Sequence, residues 1–189
     1  MIRIAVIGDI GSGKSYVAKK FGYPVFNADF EVDKIYKKNR SCFKKLKKTL
    51  PDFIYSFPIN KYEISKAIIE NNLNLKKIIK IIHPMIKKKM NFFLKENKSK
   101  KIVLLDIPLF LENKINKKND VLVFVQSKKK EINKRLKRRK NFNHKLIEKF
   151  RKIQLPLENK KKKCRFVIKN NFTNSSVEKS VKYILSKII

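Results

Sequence analysis

The sequence predicts an α/β domain, a parallel sheet with helices on both faces. Three observations predict it. Short apolar, β-branched segments alternate with longer helical patterns along the chain. A glycine-rich turn of the form G-x-x-x-x-G-K-S joins the first such segment to the first helical one. Two of the scarce acids, Asp29 and Asp106, each close an extended segment, where parallel sheets present ligand-binding groups. At 189 residues the chain suits one domain, 1–189, able to bury its own core.

The elements follow in order. Residues 2–7 read as a buried strand ended by Gly8, and residues 13–21 as a helix. Residues 24–26 are extended and run into Asn27, Ala28 and Asp29, with a polar helix expected from about 30 to 38. Ile64, Ile68, Leu73, Ile78, Ile79 and Ile82 recur at near-helical spacing. His83-Pro84 is expected to break this run, with a separate helix over 85–94. The stretch 60–100 is too long for a plain crossover and reads as a helical insertion on the substrate side. Residues 102–105 and 121–125 read as strands and 166–168 as a fifth. A very basic helical region over 129–162 is expected to break near Asn141 and Pro156, and a closing helix covers 177–188.

Forty-nine basic and fifteen acidic side chains give a formal charge of +34, which attracts any anion. The basic residues are 42 Lys and only 7 Arg, and Ile is also abundant at 25. Lys, Asn and Ile share A/T-rich codons, and the lysines are spread along the whole chain. The charge therefore reads as compositional drift on a solvated surface. A nucleic-acid-binding NTPase is the weaker reading, since no concentrated basic face or aromatic stacking signature accompanies the charge. Cys42 and Cys164 lack metal-ligand spacing, and a reducing cytoplasm is the expected location. The best apolar stretch, 102–111, is far short of a membrane span and contains Asp106 and Pro108.

The phosphate-loop pattern runs from Gly8 to Ser15. Its glycines let backbone N–H groups turn toward phosphate oxygens, and the following helix points its positive end at the same anion. Gly11, Ser12, Gly13, Lys14, Ser15 and Tyr16 are the candidate nucleotide-binding residues. Lys14 is placed on the β- and γ-phosphates of ATP, and the Ser15 hydroxyl on Mg²⁺. Three of only four glycines fall within six residues here. Asp29, Asp106 and Lys14 are expected to converge at the carboxyl ends of the strands. Asp29 is assigned to the proton of an acceptor hydroxyl and Asp106 to the Mg²⁺ environment. Arg135 and Arg139, spaced i, i+4, are expected on one helix face within a lid over 129–162 that closes on ATP. A small-molecule kinase is the function class these residues favour.

Taken together the motifs resemble the dephospho-CoA kinase family. Ile10 to Ser15 has the family's phosphate-loop form, and Asn27-Ala28-Asp29 is similar to its D-A-D element. Ile82-His83-Pro84 resembles its H-P element, and residues 105–112, ending in Glu112, its P-L-L-x-E segment. Arg135, Arg139 and Gln154 match its R-x-x-x-R and later Gln. Residues 167–171 resemble its V-I-x-N strand. Departures are Tyr16 for Thr, Asn27 for the first Asp, Cys164-Arg165 for Ala-Asp, and Phe172 where Gly is common. The resemblance implies a P-loop NTPase fold, three-layer α/β/α with a five-stranded parallel sheet, a helical substrate-side insertion and a lid. It implies transfer of the ATP γ-phosphate to the ribose 3′-hydroxyl of dephospho-CoA, with Asp29 as proton acceptor and Mg²⁺ bridging phosphates. A monomer without a nucleic-acid or membrane partner is expected. The rival reading is another P-loop kinase, acting on a nucleoside monophosphate or a small alcohol.

Overall fold

Aliphatic residues dominate the first strand, β1 (Ile2–Gly8), and every residue from Arg3 onward is buried. Burial on both faces, with no polar alternation, is the mark of a strand inside a parallel sheet covered by helices. The computed structural model describes residues 1–139 and 142–189. The sheet has five strands in the order β2-β3-β1-β4-β5, all parallel. The others are β2 (Val25–Asn27), β3 (Ile102–Asp106), β4 (Val121–Gln126) and β5 (Phe166–Lys169). Ile4 pairs with Leu104 on one side and Val121 on the other, so β1 is central. All five strands fall where the sequence places them, to within a residue or so at their ends.

The chain divides into two compact units. The first comprises Met1–Asn27, Glu96–Phe142 and Ile153–Ile189. It holds the sheet with α1 (Lys14–Lys20), α6 (Lys129–Lys137), α8 (Leu157–Lys162) and α9 (Asn174–Ile188). Its core joins Val6, Val17, Leu104, Val123, Ile168 and Val181. These side chains come from strands and from α1 and α9 alike, as a layered α/β core requires. Arg3 and Asp120, both nearly buried, pair at 2.9 Å and tie β1 to the turn that precedes β4.

The second unit, Ala28–Lys95 and Asn143–Lys152, is helical. It contains α2 (Ala28–Lys38), α3 (Arg40–Thr49), α4 (Lys61–Glu70), nearly all of α5 (Asn72–Glu96) and α7 (His144–Lys152). Asparagines start four of these helices: Asn39 Oδ1 accepts from Cys42 N–H at 2.7 Å, Asn60 Oδ1 from Tyr62 N–H at 2.9 Å, Asn71 Oδ1 from Leu73 N–H at 2.8 Å and Asn143 Oδ1 from Leu146 N–H at 3.0 Å. Glu63, 2% exposed, accepts from Tyr55 N–H at 3.0 Å, Ser56 N–H at 3.3 Å and the Ser56 hydroxyl, holding the loop before α4. The sequence marks nothing over 40–49, because α3 buries only Cys42 and Leu46.

The expected break at His83-Pro84 does not occur. One helix of 25 residues, α5, runs through Pro84. Its buried stripe, Leu75, Ile78, Ile82, Ile86 and Met90, keeps helical spacing on both sides of the proline. Burial along this face outweighs the one hydrogen bond Pro84 cannot make and its clash with the preceding turn. Pro84→Ala is therefore expected to stabilise the chain, by about 1–2 kcal/mol after the lost rigidity of the unfolded chain is deducted. Chemical denaturation with an unchanged slope would check this, and a fall in stability would refute it. Among the described residues the basic region forms three helices, α6, α7 and α8. A break at Pro156 is observed, since α8 starts just after it, whereas Asn141 lies outside the described residues. Among the described residues no helix is long and apolar enough to cross a membrane.

Candidate active site at the phosphate loop

The turn between β1 and α1 is held too tightly for side chains at its glycines. Gly11 and Gly13 have φ of 84° and 91°, values L-residues rarely adopt. A Cβ on Gly13 would lie 2.4 Å from Asn170 Nδ2, and one on Gly11 3.0 Å from Leu136 Cδ2. The loop is thus pressed between α6 and the segment after β5. Two side chains brace its backbone: Asn170 Nδ2 and Ser127 Oγ each donate to Ser12 O at 2.9 Å. Ser12 itself is fully buried, and its Oγ has no hydrogen-bond partner among the described residues. The Lys14 ammonium curls over the loop and donates to Asp9 O at 2.8 Å and Gly8 O at 3.3 Å. A loop braced from outside, with its lysine folded across the mouth, suits a phosphate chain.

Beside the loop, the register between β2 and β3 sets Asn27 opposite Asp106. Asn27 Nδ2 donates to Asp106 Oδ2 at 2.5 Å and lies 3.5 Å from Ser15 Oγ. Asp106 is 3% exposed. One neutral amide therefore spans the hydroxyl and the carboxylate assigned to the metal. Hydroxyl and carboxylate oxygens are the hard donors Mg²⁺ takes. Among the described residues no three His, Cys, Asp or Glu side chains group to hold a metal alone.

The first unit thus brings Lys14, Ser15 and Asp106 together. Tyr16 sits in the first turn of α1 and packs its ring against the apolar core, with Lys20 5.5 Å from its centroid. Arg135 is exposed on α6, its guanidinium 4.3 Å from the centre of the Phe172 ring. Arg139 departs from expectation. The helix closes at Lys137 with Arg138 as its cap, so Arg139 lies beyond it and the shared helix face does not form. Asp29 belongs to the helical unit, exposed in the first turn of α2. A negative charge there is favoured by the helix dipole.

The dephospho-CoA kinase profile matches residues 2–176. The chain belongs to the dephospho-CoA kinase family. Members of this family are kinases that transfer phosphate to a hydroxyl group, with ATP as donor. A dephospho-CoA kinase of Wolbachia pipientis wMel is 30% identical, spanning 98% of this chain and 97% of its own length. That of Fusobacterium nucleatum is 33% identical over 94% of both chains. The solved dephospho-CoA kinase of Campylobacter jejuni has the same fold, with a TM-score of 0.63 at 21% identity, covering 98% of this chain and 96% of its own.

Relative to the family motifs, two features escape a reading of residues alone. Glu112 and Gln154 meet through Lys160, whose ammonium lies 2.7 Å from Glu112 Oε1 and 2.9 Å from Gln154 Oε1. Glu112 Oε1 also accepts from Leu155 N–H at 3.0 Å. Lys160 opens a run of four lysines and nothing in the run distinguishes it, yet it is 1% exposed. The second feature is Asn170, whose side chain carries the bracing of Ser12. The sequence signals this residue as the Asn of the V-I-x-N resemblance, and the fold shows what its side chain holds.

Proposed function

We propose that this chain transfers the γ-phosphoryl group of ATP to the ribose 3′-hydroxyl of dephospho-CoA, giving CoA and ADP. The observation that carries this reading is family membership across residues 2–176, with the phosphate loop and its Asn27–Asp106 neighbours intact. Lys14 and the N–H groups of Gly11, Ser12, Gly13, Ser15 and Tyr16 hold the phosphates of ATP. Ser15 Oγ and Asp106 would hold Mg²⁺, which when bound offsets phosphate charge. Asp29 takes the proton of the acceptor hydroxyl. Arg135 and Arg139 neutralise charge on the transferring group, which phosphoryl transfer needs more than covalent help. The segment 129–162 acts as a lid and 60–100 as the acceptor-side insertion of one catalytic domain. The chain acts as a monomer in the cytoplasm, and the free thiols Cys42 and Cys164 suit a reducing compartment.

The test is ADP release from Mg·ATP with dephospho-CoA, beside AMP, CMP and shikimate as acceptors. Turnover is expected with dephospho-CoA alone. Turnover with another acceptor and none with dephospho-CoA would overturn the acceptor assignment and leave the family's kinase chemistry in place.

A further inference from the structure

The loop after β5 keeps an aromatic residue in a conformation that aromatic residues avoid. Phe172 has φ of 66°, in the left-handed region where Cβ crowds the backbone. A bulky residue persists there only when its surroundings over-determine it. Phe172 N–H donates to Asn170 Oδ1 at 2.9 Å, and the same side chain, 2% exposed, donates through Nδ2 to Ser12 O. On the far side Asn171 Oδ1 accepts from Thr173 N–H at 3.1 Å and from Ser176 Oγ at 2.7 Å. The ring reaches the phosphate loop, for a Cβ on Gly13 would lie 3.4 Å from Phe172 Cε1. One asparagine thus fixes both the phosphate loop and the backbone that carries the ring. Arg135 rests on that ring. An exposed arginine otherwise samples many rotamers, and a cation over an aromatic face is drawn to one place.

We propose that Phe172 is a positioning residue: its ring, locked to the phosphate loop through Asn170, holds the Arg135 guanidinium in register with that loop for nucleotide phosphate. This rests on the loop being the ATP site, as read above. Glycine adopts the same backbone conformation without strain, so Phe172→Gly removes the ring and relieves the chain together. A ring that served only stability would leave ATP affinity unchanged when it is removed.

The decisive experiment is a binding cycle. ATP affinity is measured calorimetrically for the wild type, Phe172→Gly, Phe172→Tyr, Arg135→Ala and the double variant Phe172→Gly/Arg135→Ala. Phe172→Gly is expected to melt at or above the wild-type temperature, yet bind ATP about two- to fivefold more weakly, the size of an exposed cation–aromatic contact. Phe172→Tyr is expected to restore the affinity, and KM for dephospho-CoA to stay unchanged in all Phe172 variants. In the Arg135→Ala background, Phe172→Gly is expected to cost nothing further. Wild-type affinity in Phe172→Gly would overturn the proposal, as would an equal loss with Arg135 already absent. A wild type that binds ATP but does not phosphorylate dephospho-CoA would sink the acceptor assignment while the binding cycle still decides the role of Phe172.

Discussion

Asp29→Asn is expected to lower kcat by about 10²- to 10⁴-fold, the range for removing a positioned proton acceptor, and toward the lower end because phosphoryl transfer depends mainly on positioning and charge. The substitution keeps shape and removes basicity. Asp29 is exposed in the first turn of α2, so no buried charge is stranded. The helix loses a favourable dipole contact of about 0.3–1 kcal/mol, too little to unfold it. KM for ATP is expected to hold, since Lys14 and its loop are untouched. Single-turnover measurement separates the chemical step from product release. A rate within threefold of wild type would remove Asp29 from the proton transfer.

The second large effect falls on stability. Lys160→Met leaves Glu112, only 10% exposed, without its cation, and removal of one partner from a buried pair costs about 3–5 kcal/mol. Lys160 is 1% exposed and Glu112 pairs with it at 2.7 Å, so solvent screens little of this. The double variant Lys160→Met/Glu112→Gln is expected to recover part of the loss. A glutamine carries no charge and its carbonyl still accepts from Leu155 N–H. Urea unfolding of the three proteins tests this. A single variant as stable as wild type, or a double variant worse than the single, would contradict it.

The sheet was legible because its signals are local. Each strand is a short run of β-branched or aliphatic residues with a breaker at its end, and Gly8 to Ser15 admits few other uses. What escaped depends on neighbours distant in sequence. The pattern around Pro84 obeys a rule for isolated helices, and the buried stripe from Leu75 to Met90 overrides it. The spacing of Arg135 and Arg139 implies a shared face only if the helix continues, and α6 stops at Lys137. Asn27 reads as the loss of a carboxylate. Only the register of β2 on β3 turns it into a donor to Asp106. Lys160 is the sharpest case, since burial of one lysine in a run of four depends on where Glu112 and Gln154 arrive.

The strand order has a bearing on solubility. The two outermost strands, β2 and β5, are also the shortest, at three and four residues. An open sheet offers unpaired backbone groups along its rims, and another chain can add to them and start a fibril. Brevity limits that template. On β5, Lys169 stands exposed on the strand, and Lys162, Lys163 and Arg165 lead into it. Like charges so placed repel a second copy laid edge to edge. Lysines so placed act as gatekeepers against self-assembly, at the rim where Val167 lies 41% exposed.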